Sequence, residues 1–303
     1  MLITNPTPLF EKLFHDGALT QEPTALFLPV HGIGDKLRFY SYLKLFEIFN
    51  EAKARVLISS DFDRALLSCF PELARQALHI NLETTLQLFA NGQLVGDGLS
   101  LFPGAGQVFP TWHLRYLQAQ GARWEQLNQA HVNHDLLVKQ ILHVPGIYLP
   151  TRIELPATPA TRKVLLAPFN VSNLPAPEEL WLGMAERLTA QGFTVVCNTS
   201  LGARAPIYSQ DYSRLFSLYE SLEVPIIELI QMLGGFAGVV SIRSGLCDLV
   251  SLTSVPAVTL THSRISRFWD IPGHFGRHLQ ITFDGMPAKL VHQDIERFLS
   301  QQT

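Results

Sequence analysis

Charged residues and cysteines are scarce in this chain of 303 residues. Only 16% of the residues are charged, and the formal net charge is -3, so no global electrostatic attraction to nucleic acid is expected. The three cysteines, Cys69, Cys197 and Cys247, lie far apart without CxxC spacing, which argues against a disulfide framework and a zinc site. We therefore expect a cytoplasmic protein that does not bind nucleic acid.

Secretion signals and long apolar segments are missing as well. The N-terminus does not follow the basic, apolar and small-residue order of a signal peptide. The longest apolar stretch, residues 224–242, contains Pro225, Glu228 and the pair Gly234-Gly235, which is typical of a helix, a turn and a strand rather than of a membrane span. The hydrophobic content of 47% still leaves room for a weak contact with a membrane surface.

Several catalytic motifs are also absent. The sequence has no HExxH motif, no GxSxG nucleophile turn and no GxxxxGK[ST] loop, which argues against a metalloprotease, an α/β-hydrolase and a P-loop enzyme. The glycine turn HGIGD at residues 31–35 lacks the third glycine of GxGxxG, so a nicotinamide cofactor is not expected. We predict that the protein uses neither a metal nor a cofactor.

Strands and helices alternate in both halves of the chain. After HGIGD, apolar residues recur at helical spacing, from Leu37 through Tyr40 and Leu43 to Phe46. Alternation of this kind predicts parallel sheets and the α/β class. The predicted strands are residues 25–30, 55–60, 163–168, 193–198, 238–242 and 257–261.

A proline-rich segment separates the two halves. Four prolines lie between residues 144 and 161, and proline breaks helices and stiffens a chain. We therefore predict a linker at 146–162 between an N-terminal Rossmann-like domain at 1–145 and a C-terminal one at 163–303. We leave open that the last helix packs back on the N-terminal domain.

Three turns follow predicted strands, where open α/β sheets bind their ligands. The first turn carries Asp35, which can cap a helix or act as a general base. The second turn offers Asn170 and Ser172, which can hold a phosphate or sugar hydroxyl or can simply form the turn.

The third turn, residues 243–248, combines a guanidinium, a hydroxyl and a glycine directly before a helix. Arg243, Ser244 and Gly245 can therefore form an anion site. The alternative is that Arg243 pairs with Asp248 and that Gly245 only eases the turn, because a buried charge needs a partner in either case.

The first half resembles the ADP-heptose:lipopolysaccharide heptosyltransferase family, glycosyltransferase family 9, in the segment LPVHGIGDKLRFYSYLKLF. The second half is similar to the same family's donor-phosphate turn in VLLAPFNVSNLPAPEELWLGMAERLTAQGFTVV and to its donor loop in GVVSIRSGLCDLVSLTSVPAVTL. These three matches keep the family's order along the chain. The resemblance implies a GT-B fold, in which two Rossmann-like domains face each other across a cleft.

Carried over residue by residue, the resemblance places Asp35 on the catalytic aspartate, with His31, Gly32 and Gly34 in the acceptor-side loop. The implied donor-binding residues are Asn170, Ser172, Arg243, Ser244, Gly245, Leu246 and Asp248. Among them, Ser244, Gly245 and Leu246 fall on the family's Thr-Gly-Leu loop. This chain departs from the family at three positions: Arg243 replaces an acid, Asp248 replaces a histidine, and Leu174 replaces a lysine.

The resemblance thus implies an inverting, metal-independent glycosyltransferase with Asp35 as general base. Its donor would be a nucleotide-diphosphate sugar, and its acceptor a bacterial surface glycan or glycolipid of lipopolysaccharide or capsule type, reached from the inner face of the cytoplasmic membrane. Two alternatives stay open. One is a non-catalytic protein that binds nucleotide sugars or glycans on the same scaffold, and the other is a nucleotide-sugar epimerase.

Overall fold

The computed structural model of the chain divides into two compact units, Met1–Thr151 and Arg152–Thr303. The border between them falls inside the proline-rich segment 146–162. The residues that the structure describes are 24–27, 32–51, 53–58, 60–79, 133–157, 161–169, 174–200, 210–265 and 270–301.

The first unit contains a parallel sheet with the strand order β1-β2-β3. Thr24 of β1 lies opposite Lys53 of β2, and Leu57 of β2 lies opposite Leu78 of β3. Its described elements are β1 (Thr24–Phe27), α1 (Ile33–Asn50), β2 (Lys53–Ile58), α2 (Asp61–Leu67), α3 (Pro71–Ala74), β3 (Leu78–His79) and α4 (His134–Ile141).

The structure confirms helix α1, which was predicted from the helical spacing of apolar residues after HGIGD. Leu37, Tyr40, Leu43 and Phe46 are all buried. The ring of Phe46 also meets Phe27 of β1 edge to face, with ring centroids 5.2 Å apart. The helix therefore packs on the sheet, and its first turn comes to lie just beyond the carboxyl end of β1.

The second unit contains a six-stranded sheet in which every neighbouring pair is parallel. Its strand order is β6-β5-β4-β7-β8-β9, which is the 3-2-1-4-5-6 order of a Rossmann fold. Its described elements are β4 (Lys163–Ala167), α5 (Glu178–Ala190), β5 (Thr194–Asn198), α6 (Ser213–Leu218), β6 (Glu220–Leu222), α7 (Ile226–Met232), β7 (Phe236–Ile242), α8 (Gly245–Ser251), β8 (Ala257–Thr261), β9 (His278–Thr282) and α9 (Ala288–Ser300). The predicted α/β class with parallel sheets is confirmed.

Helix α5 shows how the local sequence sets these elements. The helix is followed by Gly192, whose φ of 83° lies in the left-handed region that glycine adopts without strain. On its inner face, Trp181 is fully buried in the core between the sheet and the helices. For helix α9, the last helix, packing on the N-terminal domain was left open above. It contributes Val291 and Leu299 to the same core, so its apolar face packs within the second unit.

Candidate functional site

The second unit has a topological switch point between its two central strands. β4 and β7 pair directly, with Ala167 opposite Ser241, while the chain continues from β4 toward β5 on one side and from β7 toward β8 on the other. Ligands of open α/β sheets bind in the crevice at the carboxyl ends of two such strands. The carboxyl ends of β4 and β7, from which the second and third turns of the sequence begin, therefore border one crevice.

Only one side of this crevice can be described in full. Asn170 and Ser172, in the turn after β4, lie outside the described residues, as does His31 in the first unit. Leu174, which stands where the resembling family has a lysine, is half-buried after the β4 turn. The turn after β7 is described from Arg243 to Asp248.

Arg243 and Asp248 form a buried ion pair in the turn after β7. Nη1 of the arginine donates to Oδ2 of Asp248 at 2.8 Å, and Nη2 donates to Oδ1 at 3.3 Å. The same Nη1 also donates to the carbonyl oxygen of Ser244 at 2.8 Å. The pairing left open as an alternative in the sequence analysis is therefore present, and it fastens the turn to the first helical turn of α8.

This pair also connects two of the departures from the resembling family. Where that family has an acid and a histidine, this chain has Arg243 and Asp248, and the two replacements contact each other through two hydrogen bonds. The two replacements therefore form one buried pair of opposite charges. A contact of Arg243 or Asp248 with a nucleotide sugar stays a prediction.

Ser244 and Gly245 present the polar edge of the same turn. Ser244 has an extended backbone with φ -157° and ψ 175°, and its hydroxyl does not cap α8. Both residues are half-buried, whereas Leu246, the third residue of the predicted donor loop, is buried. A serine hydroxyl and the first backbone N–H groups of α8 therefore lie at the carboxyl edge of the sheet, where they can donate to an anion.

In the first unit, Asp35 occupies the third position of α1, and Gly32 occupies the N-cap. Oδ1 of Asp35 lies 3.4 Å from Nε2 of His134, the first residue of α4. The Asp35 side chain is 26% exposed, whereas that of His134 is 4% exposed. Asp35 thus combines a carboxylate that reaches solvent with a buried imidazole behind it. The sequence analysis did not find His134 as a partner, because 99 residues of chain separate the two.

A buried polar network lies one helical turn further along α1. Asp135 accepts hydrogen bonds from Nη1 of Arg38 at 2.9 Å and from the hydroxyl of Tyr42 at 2.8 Å. Nζ of Lys139 lies 3.1 Å from the other carboxylate oxygen of Asp135. Burial, followed by the nearby Asp135 carboxylate, raises the pKa of Tyr42 well above its ordinary value, so this phenol remains a donor.

A third polar group joins the first turns of helices α1 and α2. Nζ of Lys36 contacts Oδ1 of Asp63, and the Ser60 hydroxyl donates to Oδ2 of the same carboxylate at 2.8 Å. The Ser60 oxygen also accepts from the backbone N–H of Asp63 at 3.1 Å, so Ser60 caps α2. Lys36 and Asp35 therefore belong to two different sets of contacts despite being neighbours in sequence.

The described ranges contain neither a candidate metal site nor a candidate membrane span. Among those residues, no group of three or more His, Cys, Asp or Glu side chains could hold a metal ion. No helix in the described part of the chain is long and apolar enough to cross a membrane. Cys69, Cys197 and Cys247 are all free thiols.

Comparison with known proteins finds likeness at the level of structure. No family model and no curated protein matches the sequence. The glycosyltransferase TibC from enterotoxigenic E. coli H10407, described as iron-containing and dodecameric, superposes with a TM-score of 0.60 at 15% identity, over 89% of this chain and 64% of TibC. This chain thus spans less than two thirds of the TibC chain.

Two further solved structures match over nearly their whole length. The E. coli ADP-heptose lps heptosyltransferase II has a TM-score of 0.59 at 14% identity, covering 91% of this chain and 98% of that one. The glycosyl transferase family 9 protein from Veillonella parvula DSM 2008 has a TM-score of 0.58 at 10% identity, covering 94% and 99%.

These matches define the class of protein by its fold. The two parallel-sheet units are those of a GT-B fold, as the sequence resemblance implied. Within that class, the similarity is specifically to the heptosyltransferase-like proteins of glycosyltransferase family 9. At identities of 15% and below, the likeness shows the fold, and residue roles have to be argued from the site.

Proposed function

We propose that the protein is a glycosyltransferase that moves a sugar, a heptose or a hexose, from a nucleotide-diphosphate sugar to a hydroxyl of a bacterial surface glycan. The observation that carries this proposal is the switch-point turn of the second unit, in which Ser244 and the start of α8 lie at the carboxyl ends of β4 and β7. The likeness to glycosyltransferases across about nine tenths of the chain supports it.

The donor diphosphate is assigned to the crevice between β4 and β7. The Ser244 hydroxyl and the N-terminal amides of α8 donate to its oxygens, together with Asn170 and Ser172 from the turn after β4. Arg243, Asp248 and Leu246 are buried and hold this loop in place. Two N–H groups of the Arg243 guanidinium donate to Asp248. Arg243 therefore acts on the diphosphate through its positive charge and by holding the loop, rather than through those two N–H groups.

The acceptor hydroxyl is assigned to the Gly32–Asp35 turn, with Asp35 as general base. As the hydroxyl oxygen attacks the anomeric carbon, its proton passes to the Asp35 carboxylate. The bond from that carbon to the diphosphate breaks on the opposite face, so the configuration inverts and the nucleoside diphosphate leaves. A base of this kind contributes about 10² to 10⁴ in rate, and no step in this scheme uses a metal.

Ligand binding followed by turnover tests this proposal. Calorimetry with ADP, GDP, UDP and CDP identifies the nucleotide, and ADP-heptose is the first donor to assay, with release of ADP as the readout. A ligand at 100 times its dissociation constant also stabilises the fold by about 2.7 kcal/mol, which thermal unfolding detects. Absence of binding to every nucleotide sugar in such a panel would contradict the enzyme proposal.

The two alternatives give different results in the same experiments. A binding protein takes up the nucleotide sugar but releases no nucleoside diphosphate with any acceptor. An epimerase converts the donor sugar without an acceptor, which product analysis by NMR reveals. A contact with the inner face of the cytoplasmic membrane stays a prediction, which sedimentation with anionic vesicles would test.

A further inference from the structure

Helices α1 and α4 meet along a polar seam that reaches Asp35. Three residues of α1, spaced i, i+3 and i+7, lie on one face of the helix: Asp35, Arg38 and Tyr42. Two consecutive residues of α4 contact them, because His134 lies against Asp35 while Asp135 accepts from Arg38 and Tyr42. The start of α4 is therefore fixed against the first three turns of α1.

The backbone that carries His134 is fixed independently of its side chain. Asn133 caps α4, since its side-chain oxygen accepts from the N–H of Leu136 at 2.8 Å. At the other end of the same interface, the side-chain amide of Asn50 donates to the carbonyl oxygen of Leu142 at 3.0 Å. With both ends of α4 tied down, the imidazole is held beside Asp35.

Three cationic groups near this interface have acidic partners of their own. On α1 itself, Lys36 contacts Asp63, and Arg38 is bonded to Asp135. On α4, Lys139 forms an ion pair with the same Asp135. Asp35 itself is contacted by Nε2 of His134.

We propose that His134 is a positioning residue for Asp35, an inference that rests on the proposed role of Asp35 as the base. The N–H of Nε2 points one carboxylate oxygen, Oδ1, into the protein. The other oxygen, Oδ2, then accepts the proton of the acceptor hydroxyl. Oδ2 lies 3.6 Å from the position that a Cβ on Gly32 would occupy, so it borders the predicted acceptor-side loop.

The separation of 3.4 Å between Nε2 and Oδ1 is long for a hydrogen bond. Catalytic hydrogen bonds are often long in the absence of substrate and shorten in the reacting complex. A buried histidine behind a half-exposed carboxylate supports orientation, because the imidazole can reach the carboxylate but is itself shielded from solvent. His134 therefore acts through Asp35 and does not touch the substrate.

Two isosteric substitutions test this role. In His134→Gln the side-chain amide reaches as far as Nε2, whereas in His134→Asn it reaches only as far as Nδ1. The control is His292→Gln in the second unit, which replaces another buried histidine whose Nε2 bonds the carbonyl oxygen of Leu180 at 2.9 Å. All variants are made in the full chain.

The first readout is independent of any activity. In protein labelled with ¹³C at aspartate carboxyl carbons, the signal lost in Asp35→Asn identifies Asp35, and its titration is followed in each variant. Loss of a hydrogen bond to the charged form raises a carboxyl pKa, so His134→Asn should raise that of Asp35 by roughly half a unit or more. His134→Gln should raise it less, and His292→Gln should leave it unchanged. Equal shifts in the two His134 variants, or no shift in His134→Asn, would overturn the proposal.

The second readout separates this inference from the proposed function. With ADP-heptose as donor, His134→Asn should lower kcat for ADP release by about tenfold with little change in the donor KM, and His134→Gln should recover most of it. If the wild type releases no ADP from any donor while the Asp35 titration still responds to His134→Asn, the contact stands and the proposed function fails. Full turnover in His134→Asn would overturn the positioning role and leave the function intact.

Discussion

Asp35 in the first unit and Arg243 in the second unit differ in their exposure and in the contacts of their charged groups. Asp35 in the first unit is partly exposed, and its Oδ1 lies 3.4 Å from Nε2 of His134 across a helix interface. Arg243 in the second unit is buried, and its Nη1 donates at 2.8 Å to Oδ2 of Asp248, five residues further along the chain. A group that has to take up a proton needs access to solvent or substrate, whereas a buried, bidentate pair is suited to fixing a loop. The difference predicts that Asp35 governs turnover and Arg243 governs stability.

The largest expected effect is on turnover at Asp35. Asp35→Asn keeps the shape of the side chain but removes its basicity, so kcat for ADP release from the donor should fall by about 10² to 10⁴. The melting temperature should change little, since the side chain is partly exposed. Steady-state kinetics and thermal unfolding measure the two quantities.

The matched control for this variant is Asp61→Asn. Asp61 also lies in the first turn of a helix of the first unit, but its side chain is 95% exposed. It should leave turnover unchanged. If Asp61→Asn and Asp35→Asn behave alike, the assignment of the base is wrong.

The next effect is on folding of the second unit. Removing one partner of a buried ion pair leaves an uncompensated charge, which costs about 3 to 5 kcal/mol. Arg243→Ala and Asp248→Ala should each lower the free energy of unfolding by this amount in urea titrations. Glu72→Gln, which breaks the exposed pair with Lys44, should cost far less, because exposed ion pairs contribute little to stability. A cost as small as this in both single variants would show that the pair does not fasten the turn.

A smaller effect is expected in the seam of the first unit. Tyr42→Phe removes one donor from the buried Asp135 carboxylate, and a hydrogen bond to a charged group is worth about 1.5 to 3 kcal/mol. Tyr148→Phe is the control, because that tyrosine is exposed, and its loss should stay within about 0.5 kcal/mol. Equal costs in the two variants would mean that the seam contributes nothing through Tyr42.

The same tyrosine gives a pH dependence with a definite sign. The pKa of Tyr42 is raised in the folded state, by burial first and by Asp135 second, so the unfolded chain loses this proton more readily. Its contribution is therefore complete below the ordinary tyrosine value of about 10 and is lost as the pH rises above it. Tyr42→Phe should flatten the alkaline decline in the free energy of unfolding.

Local sequence patterns predicted much of the fold but only part of the candidate sites. Strands β4, β5, β7 and β8 agree with the predicted ones, because continuous apolar runs between turn residues mark buried parallel strands. Strand β9 was not predicted, since its sequence His278–Thr282 alternates with polar residues at the edge of the sheet. The seam between α1 and α4 could not be predicted from local pattern, because its partners are up to 99 residues apart and its charged members look like ordinary surface residues in sequence.

The Arg243–Asp248 pair lay within reach of sequence reasoning because both partners belong to one turn and helix start. The sequence could not decide whether Arg243 pairs with Asp248 or binds a ligand. Burial of these side chains decides between the two, and that burial depends on β8 packing beside β7. Helix caps show the same limit at a smaller scale. Asp61 and Ser60 are both good capping residues, and only the backbone shows that Ser60 takes the role.

The smallest effect we predict concerns Ser244. It separates the residues of the switch-point turn that bind the donor from those that stabilise the fold. The Ser244 hydroxyl does not cap α8 and lies at the half-buried edge of the crevice, whereas its neighbour Arg243 is committed to Asp248. Ser244→Ala should therefore weaken binding of the nucleoside diphosphate by about three- to tenfold, the value of one hydrogen bond near 1 kcal/mol, without changing the free energy of unfolding. Calorimetry with ADP measures the first quantity and urea titration the second, with the exposed Ser217→Ala on α6 as the control. A loss of stability without a loss of affinity would place Ser244 with Arg243 among the groups that hold the loop, and the donor would then have to be held by the turn after β4.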